Sequence, residues 1–308
     1  MDAQEWHYRQ MPDYIGRFAP SPTGPLHLGS LVSALAGWLR ARQAQGEWHL
    51  RIEDVDPPRI AAGSCAAILA SLDRHGLYWD GPVVYQSQRQ EAYAAAIQQL
   101  ELQLFRCSCT RAERRAQQEQ LGHTRYPGTC RAGIPATHTN RPTALRLHTP
   151  AVQLEIDDVW QGPQTWYLPD ARGDVVVQRS DGVYTYPLAV VVDDATLGVT
   201  EVVRGFDLFE ETPAQLGLQQ VLNLPQPTYA HHPLLMQDGQ KLSKQNLAAP
   251  LDDTQAVQNL RLALRALGLA HAPQFDRPTE LLDWARRHWD PLALRQHTLS
   301  LLEDLYET

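Results

Sequence analysis

Segments of strand period and helix period alternate along the first part of the chain. The run YIGRFAP predicts a short strand from Tyr14 to Phe18, broken by Pro20 and Pro22. LHLGSLVSALAGWLRARQAQG then predicts a helix: its apolar residues recur at helical spacing, Arg40 and Arg42 fall in the last turn, and Gly46 closes it. EWHLRIEDVDPP predicts a strand over Trp48 to Ile52 that ends in an acidic turn. SCAAILASLDRHG and QRQEAYAAAIQQLELQL predict two further helices. Strands that alternate with helices of this length point to a parallel α/β sheet.

The pattern changes after Phe105. Residues 106–170 are rich in Arg, Cys, His, Thr and Pro and hold no clean period, which predicts a small inserted domain. The α/β pattern resumes in GDVVVQRSDGVYTYPLAVVVDDATLGVTEVVRG, where two β-rich runs flank a turn at Asp181-Gly182. TPAQLGLQQVLNL predicts a helix, and from Thr254 onward Leu recurs at helical spacing. The expected organisation is a discontinuous α/β domain over 1–105 and 171–250, an insert over 106–170, and a helical segment over 251–308.

Composition narrows the function classes. The 308 residues suffice for two or three domains, and 43% apolar with 20% charged residues is ordinary for a soluble globular chain. The N-terminal stretch lacks the basic start and apolar run of a signal peptide, and no segment approaches the ~20 apolar residues of a membrane span. A cytoplasmic protein with no membrane partner is expected. Net charge is −8, which argues against a general nucleic-acid binder. Locally the balance inverts: Arg106 to Arg131 holds six arginines against Glu113 and Glu119. The chain has 25 arginines and only two lysines, Lys241 and Lys244, both within KLSKQ. That pairing points to a local need for a compact, flexible ammonium.

Of the four cysteines, Cys65 sits in an Ala-rich run and reads as a small buried hydrophobe. Cys107, Cys109 and Cys130 form a soft-ligand cluster that favours structural Zn2+ over a disulfide. Tetrahedral closure needs a fourth ligand. His123, Tyr126, His138 and water are all candidates, and bare chemistry favours imidazole because a phenol must first lose a proton.

The stretch RFAPSPTGPLHLGS sets a rigid, glycine-bearing elbow directly before a helix start. In a parallel sheet, ligands sit beyond the carboxyl ends of strands, where helix N-termini offer free N–H groups and partial positive charge to phosphate. Gly24 and Gly29 would let a nucleotide approach the backbone, and His27 would hydrogen-bond phosphate oxygens.

These residues carry a resemblance. RFAPSPTGPLHLGSL resembles the first signature of class I aminoacyl-tRNA synthetases in its glutamyl form, with His27-Leu28-Gly29-Ser30 as the tetrad and Ser30 in place of its last histidine. KLSKQ resembles their second signature. DGVYTYPLAVVVDDATLGVTEVVRG is similar to the glutamyl and glutaminyl branch, and the likeness covers roughly residues 14–250. It implies a Rossmann-type parallel sheet with an inserted zinc-bearing, acceptor-binding-like domain and a C-terminal helical segment. It also implies an activity: the carboxylate of an amino acid joins the α-phosphorus of ATP, releasing pyrophosphate without a covalent enzyme intermediate. Such catalysis is mostly alignment and charge neutralisation.

The site residues follow from the same likeness. Pro22, Thr23, Gly24, His27, Gly29, Ser30 and Lys244 would contact ATP. Lys244, and more weakly Lys241, would steady the departing pyrophosphate from a loop that contains Gly239. Mg2+ would accompany the phosphates without a dedicated cage. Arg17 and Arg204 would hold the carboxylates of L-glutamate. Phe18, Ala19, Pro20 and Ser21 would line the pocket, Glu53 would accept from the α-ammonium, and Tyr186 would close it. Val190 departs from the family, many of whose members carry asparagine there. In the insert, the family pattern Cys-x-Cys, then Tyr-x-x-x-Cys, implies Tyr126 as the fourth zinc ligand.

Full-length members carry a large helical anticodon-reading domain after the second signature, and this sequence ends at Thr308. The layout resembles truncated paralogs that activate glutamate without tRNA and transfer it to queuosine in the anticodon loop of tRNA-Asp. Two other readings stay open: a glutamyl-tRNA synthetase whose anticodon reader is lost or supplied separately, and a non-catalytic, regulatory tRNA-binding protein. Nothing in the sequence calls for an oligomer, so a monomer is expected.

Overall fold

Two parallel strands begin the structure, a computed structural model that describes residues 13–237, 240–241, 249–294 and 299–301. β1 (Ile15–Phe18) pairs with β2 (Glu47–Ile52), Ile15 opposite Glu47 and Phe18 opposite Leu50. Between them runs α1 (Leu28–Gln43), which buries Leu31, Val32, Leu35 and Leu39. The helix ends before Gly46, and the glycine has another task. A Cβ at position 46 would lie 2.2 Å from the Tyr14 carbonyl oxygen, so only glycine lets β2 start beside the entry to β1.

α2 (Ser64–Arg74) leads to β3 (Val84–Tyr85), which runs parallel to β2. α3 (Gln90–Gln99) is shorter than the sequence predicts. In LELQL the leucines alternate at strand period, and the chain turns through a 3-10 segment into β4 (Leu104–Cys107). Leu100 is fully buried, whereas Leu102 is exposed.

The Arg-rich region has more order than its composition shows. α4 (Arg111–Leu121) is held at its start by a reciprocal Thr110–Glu113 capping box and stops at Gly122, whose φ is 66°. β5 (Ala144–Leu147) runs antiparallel to β4. β6 (Gln153–Asp158) and β7 (Gly162–Tyr167) form a hairpin, and the short α5 (Leu168–Ala171) follows. β8 (Val176–Gln178) returns antiparallel to β5, giving the order β4-β5-β8.

The second β-rich run is corrected by the structure: YPLAVVVDDATL is α6 (Tyr186–Leu197). Pro187 in the first turn and Gly198 at φ 68° bracket it. Every residue from Leu188 to Asp194 is buried, so the run shows no amphipathic period, and packing overrides the β preference of its valines.

β9 (Glu201–Gly205), α7 (Thr212–Val221) and β10 (Thr228–His232) complete a second parallel pair. The Ile15 amide donates to Thr200 Oγ1 and the Thr200 amide to the Ile15 carbonyl, both at 2.9 Å. The two sheets, β3-β2-β1 and β9-β10, thus lie edge to edge with β1 beside β9, and the direction of winding reverses between those two strands. Ligands of open α/β sheets bind beyond the strand ends at such a reversal.

β11 (Leu234–Gln237) pairs with β12 (Gln240–Lys241). α8 (Ala256–Ala266) and α9 (Pro278–His288) fulfil the expected helical spacing. They share one core with α1 and β2, in which Leu260, Leu264, Leu281 and Trp289 meet Leu35, Leu39, Trp48 and Leu50. The chain then leaves the helical pattern: β13 (Leu299–Leu301) adds parallel to β11, with Leu299 opposite Leu234. No described helix is long and apolar enough to cross a membrane.

Candidate active site

A cleft of about 210 Å³ opens at the carboxyl ends of β1 and β9, against the start of α1. Arg17, Phe18, Ala19, His27, Gly29, Ser30, Glu53, Tyr186 and Arg204 all line it. A neighbouring cavity of about 450 Å³ shares Ala19, Glu53 and Tyr186 and adds Ser21, Pro22 and Thr23. The elbow is pinned to its surroundings by backbone bonds: Pro20 accepts from the Glu53 amide at 3.1 Å, and Pro22 from the Ala61 amide at 3.0 Å. Gly24 lies half-buried within the same elbow.

His27 is the N-cap of α1. Its Nδ1 accepts from the Ser30 amide at 3.2 Å, and its Nε2 lies 3.1 Å from Ser30 Oγ. With Nδ1 accepting, the neutral ring carries its proton on Nε2 and donates to Ser30. No acidic residue occupies the first turn of α1, so that helix start retains its attraction for an anion.

Arg17 and Arg204 enter from neighbouring strands. The Arg17 Nε donates to Asp194 at 3.2 Å and its NH1 to the Val203 carbonyl at 3.2 Å. Arg51 NH1 donates to the same Asp194 carboxylate at 2.5 Å. Burial pushes the Asp194 carboxyl up, but the two guanidiniums outweigh it and hold it below the usual carboxylate range. Glu53, one residue past β2, accepts from Arg51 NH2 at 3.3 Å. Burial pushes its carboxyl up to about 6, against the pull of Arg51 and Arg17.

Arg204 is held differently. It donates to His231 Nε2 at 2.9 Å, Gln215 Oε1 at 2.7 Å, Thr212 Oγ1 at 2.9 Å and the Tyr186 hydroxyl at 3.4 Å. All four acceptors are neutral groups, and among the described residues no carboxylate lies within 4.0 Å of it. A buried guanidinium with no carboxylate beside it among the described residues, at the wall of a cleft, can receive an anion.

The cysteine cluster lies in the insert. The Sγ atoms of Cys107, Cys109 and Cys130 all fall within 4.8 Å of one another. The Tyr126 hydroxyl joins them, 3.4 Å from Cys107 Sγ and 3.9 Å from Cys109 Sγ, and accepts from the Cys130 amide at 2.8 Å. Zinc–sulfur bonds of about 2.3 Å at tetrahedral angles place sulfurs about 3.8 Å apart. Cys109 and Cys130 stand 3.6 Å apart, so the donor set fits such an ion. His138 turns instead to Ser108 Oγ, 3.2 Å from its Nδ1.

Residues 15–269 match the family described as tRNA synthetases class I (E and Q), catalytic domain. The chain is 47% identical to the glutamyl-Q tRNA(Asp) synthetase of Pseudomonas putida (strain W619) over 298 residues, which cover 95% of this chain and 98% of that one. It is 48% identical to the glutamyl-Q tRNA(Asp) synthetase of Thiobacillus denitrificans, over 89% of this chain and 93% of the relative. The chain belongs to the glutamyl-Q tRNA(Asp) synthetase family. It is therefore a ligase of the class I aminoacyl-tRNA synthetase type. The fold agrees: the glutamate-tRNA synthetase of Elizabethkingia anophelis superposes with a TM-score of 0.78 at 24% identity, over 93% of this chain and 67% of that one.

Within this synthetase, Arg17, Phe18, Ala19, Ser21, Pro22, Thr23, His27, Gly29, Ser30, Glu53, Tyr186 and Arg204 converge on one region, whereas Pro20 and Gly24 line neither cavity. Val190 is buried on α6 and does not line the cleft. Lys241 ends β12 opposite Met236, and Lys244 lies outside the described residues. Several residues that hold the site had not been expected from the sequence. Asp194, itself held by Arg51, braces Arg17, while His231, Thr212 and Gln215 brace Arg204. The adjacent acids in VVVDDATL were one legible signal, since buried carboxylates require partners. Asp193 takes hydrogen bonds from Gln86, Tyr93 and Arg89.

Proposed function

We propose that this chain activates L-glutamate with ATP, without needing tRNA, and then transfers the glutamyl group to queuosine in the anticodon loop of tRNA-Asp. A carboxylate oxygen of glutamate attacks the α-phosphorus of ATP, and pyrophosphate leaves. A hydroxyl oxygen of queuosine then attacks the activated carbonyl, and AMP leaves.

The observation that carries the reading is Arg204: buried, bonded among the described residues to neutral groups alone, and lining the same cleft as Glu53. Arg17 and Arg204 hold the substrate's carboxylates. Glu53, when ionised, accepts from its α-ammonium. Phe18, Ala19, Pro20, Ser21 and Tyr186 shape the pocket. His27 Nε2–H moves from Ser30 to a phosphate oxygen, and Pro22, Thr23, Gly24, Gly29 and Ser30 line the nucleotide's path to the start of α1. Lys244 and Lys241 neutralise the leaving pyrophosphate. Mg2+ bound with ATP would supply further charge neutralisation on its phosphates.

Cys107, Cys109, Cys130 and Tyr126 would hold one structural Zn2+, which orders an insert with little apolar core. The insert also offers an approach for RNA. A cavity of about 420 Å³ lined by Arg114, Arg125, Arg146 and Arg172, with Asp174 and Glu211, shares Tyr186 with the active-site cleft, and its net positive lining suits a phosphate backbone.

The test supplies the purified chain with ATP, labelled glutamate and tRNA-Asp, with and without the queuosine modification, and with tRNA-Glu as a control. Glutamate-dependent pyrophosphate exchange without RNA, and label transfer only to the queuosine form, support the reading. Charging of tRNA-Glu, or no exchange, refutes it.

A further inference from the structure

The Nε of Arg204, buried at 4% exposure, faces a histidine where an ion pair would place an acid. Across the His231 ring, Nδ1 donates to Asp158 Oδ2 at 2.5 Å. Asp158 is itself pinned. Its Oδ1 accepts from the backbone amides of Trp160 and Gln161, each at 3.0 Å, and of His231 at 3.2 Å. His231 and Asp158 are buried at 0% and 1% exposure, and neither lines the cleft.

A glutamate or aspartate in place of His231 would satisfy Arg204 inside the protein. The resulting buried pair would leave little field for a ligand. A neutral imidazole supplies direction through its lone pair and leaves the positive charge uncompensated at short range. That lone pair points at Arg204 only while the ring proton stays on Nδ1, and the Asp158 carboxylate selects that tautomer. Burial pushes His231 down to about 4, against the pull of Asp158, so the ring is neutral near pH 7.

We propose that Asp158 and His231 are positioning residues: they fix the Arg204 guanidinium through an uncharged acceptor and so reserve its charge for an acidic substrate side chain. The preference for an acid over its amide then depends on which His231 nitrogen carries the proton. This rests on the reading that Arg204 receives a glutamate carboxylate.

Asp158→Asn tests it. The amide keeps an oxygen for the three backbone donors but sets an N–H against His231 Nδ1. The ring proton moves to Nε2, where a donor then faces the Arg204 N–H. In glutamate-dependent pyrophosphate exchange, the expected result is a glutamate KM raised ~10- to 100-fold, with kcat and ATP KM within ~3-fold of wild type. The preference for glutamate over glutamine should fall by a similar factor. Nitrogen-15 NMR of labelled histidine should place the His231 proton on Nδ1 in the wild type and on Nε2 in the variant. His231→Gln, which can turn an oxygen toward Arg204, should hold the glutamate KM within ~5-fold of wild type.

Arg204→Ala separates the two levels. If it leaves the glutamate KM unchanged, the reading beneath the proposal is wrong. If it raises that KM while Asp158→Asn shifts the tautomer without effect, the proposal is overturned. A wild-type ring protonated on Nε2 overturns it whatever the variants do.

Discussion

Arg51 NH1 and the carboxylate of Asp194 lie 2.5 Å apart, from β2 and α6, and the Asp194 carboxylate also takes the Nε of Arg17. One acid that does not itself line the cleft thus braces an arginine at the cleft wall. Asp194→Ala would leave two buried guanidiniums short of a counter-charge. The expected loss is ~3–5 kcal/mol of unfolding free energy in urea, together with a raised glutamate KM as Arg17 loses its anchor. A variant with wild-type stability would show that this acid is dispensable. Since the folded Asp194 carboxyl lies below its ordinary value of 3.8, its contribution is present above that pH. It is lost as acid protonates the folded carboxylate.

Glu53 has the opposite sign. Its folded carboxyl, raised from 4.5 to about 6, binds a proton more tightly than the unfolded one. It therefore contributes stability to the ligand-free protein below about 4.5, which disappears as pH rises through about 6. The proposed bond from the substrate's α-ammonium to Glu53 requires the ionised form, so on that reading kcat/KM for glutamate should climb as pH passes 6. Glu53→Gln should flatten that limb of the pH profile and raise the glutamate KM by ~10-fold or more. A limb that persists in the variant would assign it to another group.

Lys244→Ala should slow glutamate-dependent pyrophosphate exchange by ~10²- to 10³-fold, the scale of losing one group that neutralises charge in the transition state. The melting temperature should stay within a few degrees of wild type. Exchange at the wild-type rate would remove Lys244 from the mechanism.

Metal analysis should find about one zinc per chain. Cys109→Ala should lose the metal and destabilise the insert, read as earlier proteolytic cleavage between Arg111 and Arg131. Transfer to RNA should fall further than exchange, because the cleft carries no zinc ligand among its lining residues. Equal losses in both steps would tie the insert to activation as well.

Much of the site could be read from the chain because its chemistry is local. The elbow before α1, Glu53 at the close of β2, and Arg204 in β9 are each set by a few neighbouring residues and by the ends of strands. The α6 run could not be read that way: a helix buried along Leu188 to Asp194 carries no period to separate it from a strand. Nor could β13, which owes its pairing to β11 rather than to its own spacing.

The sequence by itself determined the family signatures, the alternation that builds a parallel sheet, and the residue types offered to phosphate, carboxylate and zinc. Only the tertiary structure decided which buried groups brace them. Arg17 meets Asp194 across 177 positions, and His231 meets Asp158 across 73. The physical reason is that a buried charge must find its partner in space, and the strand order and helix packing that bring distant positions within hydrogen-bond reach leave no periodic mark along the chain.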